Sequence, residues 1–294
     1  MRQSGVAKDR YMQRNWFDEF IEFHVPDEFG RFYLFGVFGP PWIMRCFPRK
    51  RCIFFTQEAL IGRHQVHASH GIPFVQCGLG FSRNEDARVL RFPYWITRFI
   101  SPGVGSAKYL SPHAFIESIE SWSGDDWDQR RAFASIVCRH DSHGNGAGLR
   151  QEILSVINKI ESVECAGDWQ NNTNRLRQDF NDDINLYLQD CKFNICVENS
   201  QSDGYVTEKL WLALLNGSIP IYWGDSNSPE PLILSGNGIV FVDRDNIDKS
   251  LDLIKRLSTD EQFREDWMAQ SKFVPDAHYA IEQFLLDFAE RLVS

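Results

Sequence analysis

Apolar and polar positions along this chain change period several times, and each change predicts an element. A helical period runs through residues 16–23, followed by short apolar runs at 31–38 and 51–56. The second run, RCIFFT, reads as a buried strand that ends at the polar step Gln57-Glu58. Glycine and proline punctuate the chain at Gly39-Pro40-Pro41, Gly71-Ile72-Pro73 and Ser101-Pro102-Gly103. The polar tract 121–131 (SWSGDDWDQRR) is the best candidate for a domain boundary.

After that tract the pattern becomes regular. Residues 133–137 predict a strand, and the loop His143-Gly144-Asn145-Gly146-Ala147-Gly148 follows. A helix starts near Leu149, with Leu149, Ile153, Val156, Ile157 and Ile160 on one face. Alternating apolar positions predict a strand over 193–197, then a polar turn over 198–204 and a helix over 206–216. Gly217 stands where a glycine helix stop belongs. Residues 218–223 (SIPIYW) read as a further buried strand. Strand, helix and strand in alternation imply an α/β fold with a parallel sheet and crossover helices. Near the end, Ile281, Phe284, Leu285, Phe288 and Leu292 share one helical face, so the last helix should dock on the body of the protein.

Composition acts mainly by exclusion. The 294 residues are 43% hydrophobic, with 23 Phe and 9 Trp, enough for one large domain or two ordinary ones. A net charge of −9 argues against nucleic acid as a partner, so an anionic ligand would need a few placed cations. No apolar run approaches the roughly 20 residues that span a bilayer, and the first residues lack the apolar core of a signal peptide. The chain reads as cytoplasmic, free or peripheral to a membrane, unless an anchor lies outside it. Seven scattered cysteines without a CxxC pair read as buried free thiols in a reducing compartment.

The chemistry concentrates in residues 196–225, CVENSQSDGYVTEKLWLALLNGSIPIYWGD. A strand ends, a polar loop follows, and a helix begins with Glu208 and Lys209 in its first turn. Ligands of open α/β sheets bind beyond the carboxyl ends of strands, where a helix N-terminus offers N–H groups to phosphate oxygens. Lys209 adds a full positive charge, and Glu208 could accept hydrogen bonds from sugar hydroxyls. The glycine-rich loop before Arg150 is a second candidate anion site, with Arg150 placed for a bidentate contact. Two such sites beyond one sheet suit a diphosphate. Ordinary turns and a solvated helix face remain the alternative for each taken alone.

The pattern ENS, YVTEKL, ALL and IPIYWG within residues 197–225 resembles the α-1,3-fucosyltransferases of glycosyltransferase family 10. CKFNICVEN, FASIV and RFPYWIT extend the resemblance backwards, and FFTQE does so more weakly, for a span of roughly residues 50–270. The resemblance implies a GT-B fold of two facing Rossmann-like domains. Residues 1–128 would bind the acceptor, 129–270 would bind GDP-fucose, and 271–294 would form a helix packing back on the first domain. No segment ahead of the Glu58 region reads as the family's usual first strand.

Carried over by position, Arg150 and Lys209 would neutralise the diphosphate, Glu208 would bind the ribose, and Asn199 and Tyr205 would lie against the donor. Glu198 belongs to the same motif, and Glu58 matches the family's proposed general base. The implied reaction is inverting transfer of L-fucose to an oligosaccharide or glycoconjugate, at O3 of GlcNAc in a Gal-GlcNAc-type acceptor. No cofactor is implied, and divalent metal would at most stimulate. Another nucleotide sugar on the same fold, or an inactive sugar-nucleotide-binding relative, are the alternatives. Two weaker signals are His64, His67 and His70, which drift around a helix without a fourth ligand, and Asp243-Arg244-Asp245 after an apolar run at 238–242. The histidines read as a solvated or half-buried face, and Asp243-Arg244-Asp245 as a loop. Asp125-Asp126 and Asp182-Asp183 sit in polar stretches with no adjoining strand.

Overall fold

The computed structural model describes residues 2–3, 14–83, 89–103, 108–124, 126–142, 144–225 and 228–294. His143 and Asp125 lie outside the described residues. The strands are β1 (Arg2–Gln3), β2 (Tyr33–Gly36), β3 (Cys52–Phe55), β4 (Cys77–Gly80), β5 (Val89–Arg91), β6 (Ala132–Ile136), β7 (Val163–Cys165), β8 (Cys191–Val197), β9 (Ile219–Trp223) and β10 (Val240–Phe241). The helices are α1 (Arg14–His24), α2 (Val66–His70), α3 (Tyr94–Phe99), α4 (Pro112–Glu120), α5 (Leu149–Ile157), α6 (Arg175–Gln178), α7 (Ile184–Gln189), α8 (Glu208–Leu215), α9 (Ile247–Thr259), α10 (Glu261–Met268) and α11 (Ala277–Val293). No helix among the described residues is long and apolar enough to cross a membrane. The chain forms two units. One comprises Met1–Phe115, Ser202–Thr207 and Asp276–Ser294, the other Ile116–Gln201 and Glu208–Pro275.

The first unit is built on a parallel sheet in the order β1-β2-β3-β4-β5. It opens with a two-residue strand that no hydrophobic pattern marks. β3 reads CIFF and is buried at every position, as a parallel strand covered on both faces must be. Cys52 and Phe54 pack with Phe35, Met44, Ile72 and Val75, while Phe55 meets Phe17 of α1 edge-on at 5.1 Å. The Pro/Gly punctuation marks 3-10 turns, Pro41–Cys46 and Ile72–Phe74, which replace long crossover helices here. Helix α11 completes the core. Its Phe288 stacks on Phe20 of α1 at 4.7 Å, and Gln76 donates to the carbonyls of Arg291 and Leu292 at 3.4 and 3.2 Å.

The second unit carries a parallel sheet in the order β10-β9-β8-β6-β7. From β6 the chain moves to β7 at one edge, then returns to place β8 on the other side of β6 and continues outward through β9 and β10. The strand order therefore reverses between β6 and β8. Phe193, Ile195 and Val197 of β8 share a core with Ile153 and Ile157 of α5 and with Ile254 and Leu257 of α9. Ile160 follows the end of α5 and packs half-buried against the same core as a turn residue. Helix α8 starts at Glu208, two residues later than the periodicity predicts, and ends before Gly217, whose φ of +69° only glycine adopts cheaply. The predicted strand over 238–242 contracts to Val240–Phe241.

Candidate functional site

A strand-order reversal opens a crevice beyond the carboxyl ends of the strands that flank it. In the second unit those strands are β6 and β8, and the segments leaving them are stitched together. Asn145 accepts from the Gln201 amide at 2.6 Å and donates to the Gln201 carbonyl at 3.0 Å. The Gly146 amide donates to the Asn199 carbonyl at 3.3 Å. A Cβ at Gly146 would stand 2.7 Å from the Trp223 ring and 2.8 Å from the Glu198 carbonyl oxygen. Glycine is needed because one backbone lies directly on another. From the β10 side, Arg244 donates to the Asn145 carbonyl at 3.1 Å and pairs with Glu152 at 3.4 Å. Asp243-Arg244-Asp245 thus forms a turn that braces the loop.

Arg150, in the first turn of α5, is only 2% exposed. Its guanidinium donates to the carbonyls of His140 (3.1 Å) and Val197 (2.8 Å) and to Asn199 Oδ1 (3.0 Å), with Asp141 Oδ1 at 3.5 Å. A cation at that depth requires such compensation. Asp141 also accepts from the Gln151 amide at 3.1 Å, so it anchors the start of α5 and the arginine together.

Lys209 stands in the first turn of α8, and its Nζ lies 2.8 Å from Glu198 Oε2. Glu198 is completely buried at the end of β8, while the lysine side chain is 25% exposed. An ammonium has three N–H donors, so the pair leaves Lys209 capacity to meet an anion at the helix N-terminus. Burial pushes the neighbouring Tyr222 phenol well above its usual range, and the carboxylates of Glu198, Asp225 and Glu230 push it the same way. Half-buried Glu208 opens the same helix.

A separate cluster lies in the first unit. Glu58 follows β3, and its backbone is fixed by buried Thr56, whose hydroxyl accepts from the Glu58 amide (3.1 Å) and donates to the Glu58 carbonyl (2.5 Å). The carboxylate is held at Oε2 by the Tyr205 hydroxyl at 3.0 Å. Tyr205, itself buried, sets its ring edge-on to Phe81 at 4.8 Å. The sequence places Tyr205 with the donor motif, and the structure brings it to Glu58. Arg150, Glu198, Asn199, Glu208 and Lys209 all lie in the second unit.

The rival signals settle differently. His64 sits in a 3-10 turn, and His67 and His70 in α2. Buried His67 stacks on Phe54 at 5.4 Å, and burial lowers its pKa. Among the described residues, no group of three or more His, Cys, Asp or Glu side chains could hold a metal ion. All seven cysteines are free, and burial raises the Cys191 thiol to about 12. Asp183 of the Asp182-Asp183 pair caps α7, accepting from the Asn185 and Leu186 amides.

The family model described as "Glycosyltransferase family 10 (fucosyltransferase) C-term" matches residues 129–279, just over half of the chain. The chain belongs to this fucosyltransferase family. The Alpha-(1,3)-fucosyltransferase FucT of Helicobacter pylori is 35% identical over 133 residues, which are 44% of this chain and 25% of that protein. The Alpha-(1,4)-fucosyltransferase of Arabidopsis thaliana is 46% identical over 126 residues, 40% of this chain and 29% of that protein. The chain therefore aligns with between a quarter and a third of those relatives' lengths.

Among solved structures, a crystal structure of alpha1,3-fucosyltransferase superposes with a TM-score of 0.63 at 24% identity, over 92% of this chain and 80% of that one. A crystal structure of alpha1,3-fucosyltransferase with GDP gives 0.64 at 21% identity, over 98% and 89%. These likenesses show the fold, which is α/β of the GT-B type. The family match contains Arg150, Glu198, Asn199, Tyr205, Glu208 and Lys209, whereas Thr56 and Glu58 precede it.

Sequence reasoning missed Asp141, Asn145 and Thr56. Each carried a local signal. Asp141 precedes and Asn145 sits among the glycines of a loop opening a helix, where short polar side chains bind backbone, and Thr56 stands two residues before Glu58, where a hydroxyl can close a turn.

Proposed function

We propose that this fucosyltransferase-family chain is an inverting glycosyltransferase that moves L-fucose from GDP-fucose to a glycan hydroxyl. The first acceptor to expect is O3 of GlcNAc in a Gal-GlcNAc-type glycan. The observation that carries the reading is the pair of cations, Arg150 and Lys209, held by built-in partners beside the strand-order reversal of the second unit. A crystal structure of alpha1,3-fucosyltransferase with GDP-fucose, at a TM-score of 0.62 and 24% identity, has the same fold.

As the glycosidic bond breaks, negative charge grows on the leaving diphosphate. Lys209 meets that charge from the start of α8. Arg150, expected to contact the diphosphate directly, is buried with its guanidinium on the His140 and Val197 carbonyls and Asn199, so it adds fixed charge from beneath the loop. Both stabilise the transition state more than the ground state. Glu198 keeps Lys209 aimed, and Glu208 takes the ribose hydroxyls. Glu58 removes the proton from the attacking acceptor hydroxyl, and a single attack opposite GDP inverts the anomeric carbon. The chain's own cations carry the charge, with divalent metal at most stimulatory. Seven free thiols suit a cytoplasmic setting, free or at a membrane surface.

Calorimetric titration with GDP-fucose, against GDP-mannose and UDP-galactose, tests the donor. Selective binding of GDP-fucose is expected, and Lys209→Met should abolish it. Preference for another donor would keep the chemistry and move the sugar. Binding of none would leave an inactive relative.

A further inference from the structure

We propose that the exposed turns before β3 form a membrane-contact surface. Arg45, Arg49, Lys50 and Arg51 take anionic phospholipid headgroups there, and Trp42 enters the headgroup layer. This rests on the membrane-surface arm of the setting proposed above and on no donor or base assignment. The chain carries a net charge of −9, yet no Asp or Glu stands between Glu28 and Glu58, and four cations fall within residues 45–51. All four are exposed, and none is ion-paired among the described residues.

The fold gathers them. Trp42 and Arg45 belong to the 3-10 helix Pro41–Cys46, where side chains three apart stand one above the other, so indole and guanidinium share a face. Arg45 lies over the Phe74 ring at 4.3 Å, and Arg49 donates to the Val75 carbonyl at 3.2 Å. Consecutive residues therefore brace both guanidinium groups. Lys50 and Arg51 complete the 3-10 turn that Arg49 opens, just ahead of β3, and Glu58 follows the other end of that strand. Trp42 is 58% exposed. A tryptophan left in water beside a band of cations is the pattern of a bilayer interface, where the ring sits among headgroups and the cations meet their phosphates. A bilayer also suits the remaining charge better than nucleic acid does. It is a plane, so the acidic remainder of the chain can face away from it, whereas a long polyanion would meet that charge.

Flotation of the full chain with vesicles tests the proposal. Vesicles of phosphatidylcholine alone are compared with vesicles containing one quarter phosphatidylserine, in about 0.1 M and about 1 M salt. Binding is expected only to the anionic vesicles and only at the lower salt, because screening shortens the electrostatic reach from about 10 Å to about 3 Å. Each cation is worth roughly fivefold in partitioning, so Lys50→Glu with Arg51→Glu should lower it by roughly a hundredfold or more. Trp42→Ala should lower it by roughly tenfold. Arg45 and Arg49 are kept because they brace the turn at Phe74 and Val75, and both variants should retain the wild-type Tm and GDP-fucose affinity. Absence of binding to anionic vesicles, equal binding to both kinds, or full binding by the charge-reversed chain would overturn the proposal. So would binding of a DNA duplex in place of vesicles, which would make the patch a nucleic-acid site. Titration of the same wild-type chain with GDP-fucose tests the transferase reading separately, so the two failures are distinguishable.

Discussion

The sheet of the first unit adds strands in sequence order without turning back, whereas the sheet of the second reverses between β6 and β8. The two polar clusters divide along the same line. At the reversal, the loops leaving β6 and β8 are bonded to each other, and buried charges gather beside them, each with a partner. Arg150 has carbonyls, Asn199 and Asp141, and Lys209 has Glu198. Without a reversal, the first sheet places one carboxylate just past β3 and steadies it with the hydroxyls of Thr56 and Tyr205. Fixed charge suits a group that must receive growing negative charge. Neutral hydroxyls suit one that must be aimed.

The contrast breaks if either cluster behaves like the other. Glu58→Gln should lower transfer by roughly 10²–10⁴-fold, the usual range for a positioned base, with GDP-fucose affinity unchanged by calorimetry. A matching loss of affinity would place Glu58 in the donor site. Lys209→Met should do the reverse at the level of the fold. It removes the cation from a wholly buried carboxylate and should cost about 3–5 kcal/mol in urea unfolding of the second unit, along with donor binding. Pairing it with Glu198→Leu should restore most of the stability and none of the binding. If binding returned, the ion pair would be structural only.

Smaller effects sharpen the same contrast. Gly144→Ala forces a side chain at φ +69° against Asn199 and Ser200, and should cost about 1–3 kcal/mol, read as a lower Tm that GDP partly restores. The smallest effect belongs to the first unit and to pH. Burial lowers His67 below its ordinary 6.5, so the fold holds the neutral ring and the unfolded chain takes the proton first. Stability is full above pH 6.5 and declines as pH falls below it. His24 and His64 are lowered too and add in the same direction. His67→Phe should flatten that acid decline in thermal melts. An unchanged decline would assign it to other groups.

Much of the second unit is legible in the sequence. Its helices are long enough to show a 3.6-residue period, its strands are buried runs, and Gly217 marks a stop by backbone chirality. The first unit is harder to read. Most of its connections are 3-10 turns of three to six residues and a five-residue helix, too short for any period, and β1 has two residues. In the site, Arg150 and Lys209 stand out as lone cations in glycine- and helix-start contexts. Their partners do not, because pairing of Glu198 with Lys209 across a loop is a long-range fact. The Glu58–Tyr205 contact joins residues 147 apart, beyond any local pattern.

Neither unit is a continuous stretch of chain, and this constrains how the protein can be made. The core of the first unit needs Phe288 of α11 beside Phe17, Phe20 and Phe92, so this wall is synthesised after the whole of the second unit. On the ribosome the second unit can condense while the first still waits with exposed aromatic surface, a delay that pairings of long sequence separation impose. A chain ending at Pro275 would leave the ribosome with only its second unit able to fold. Chaperone dependence should therefore follow the presence of α11.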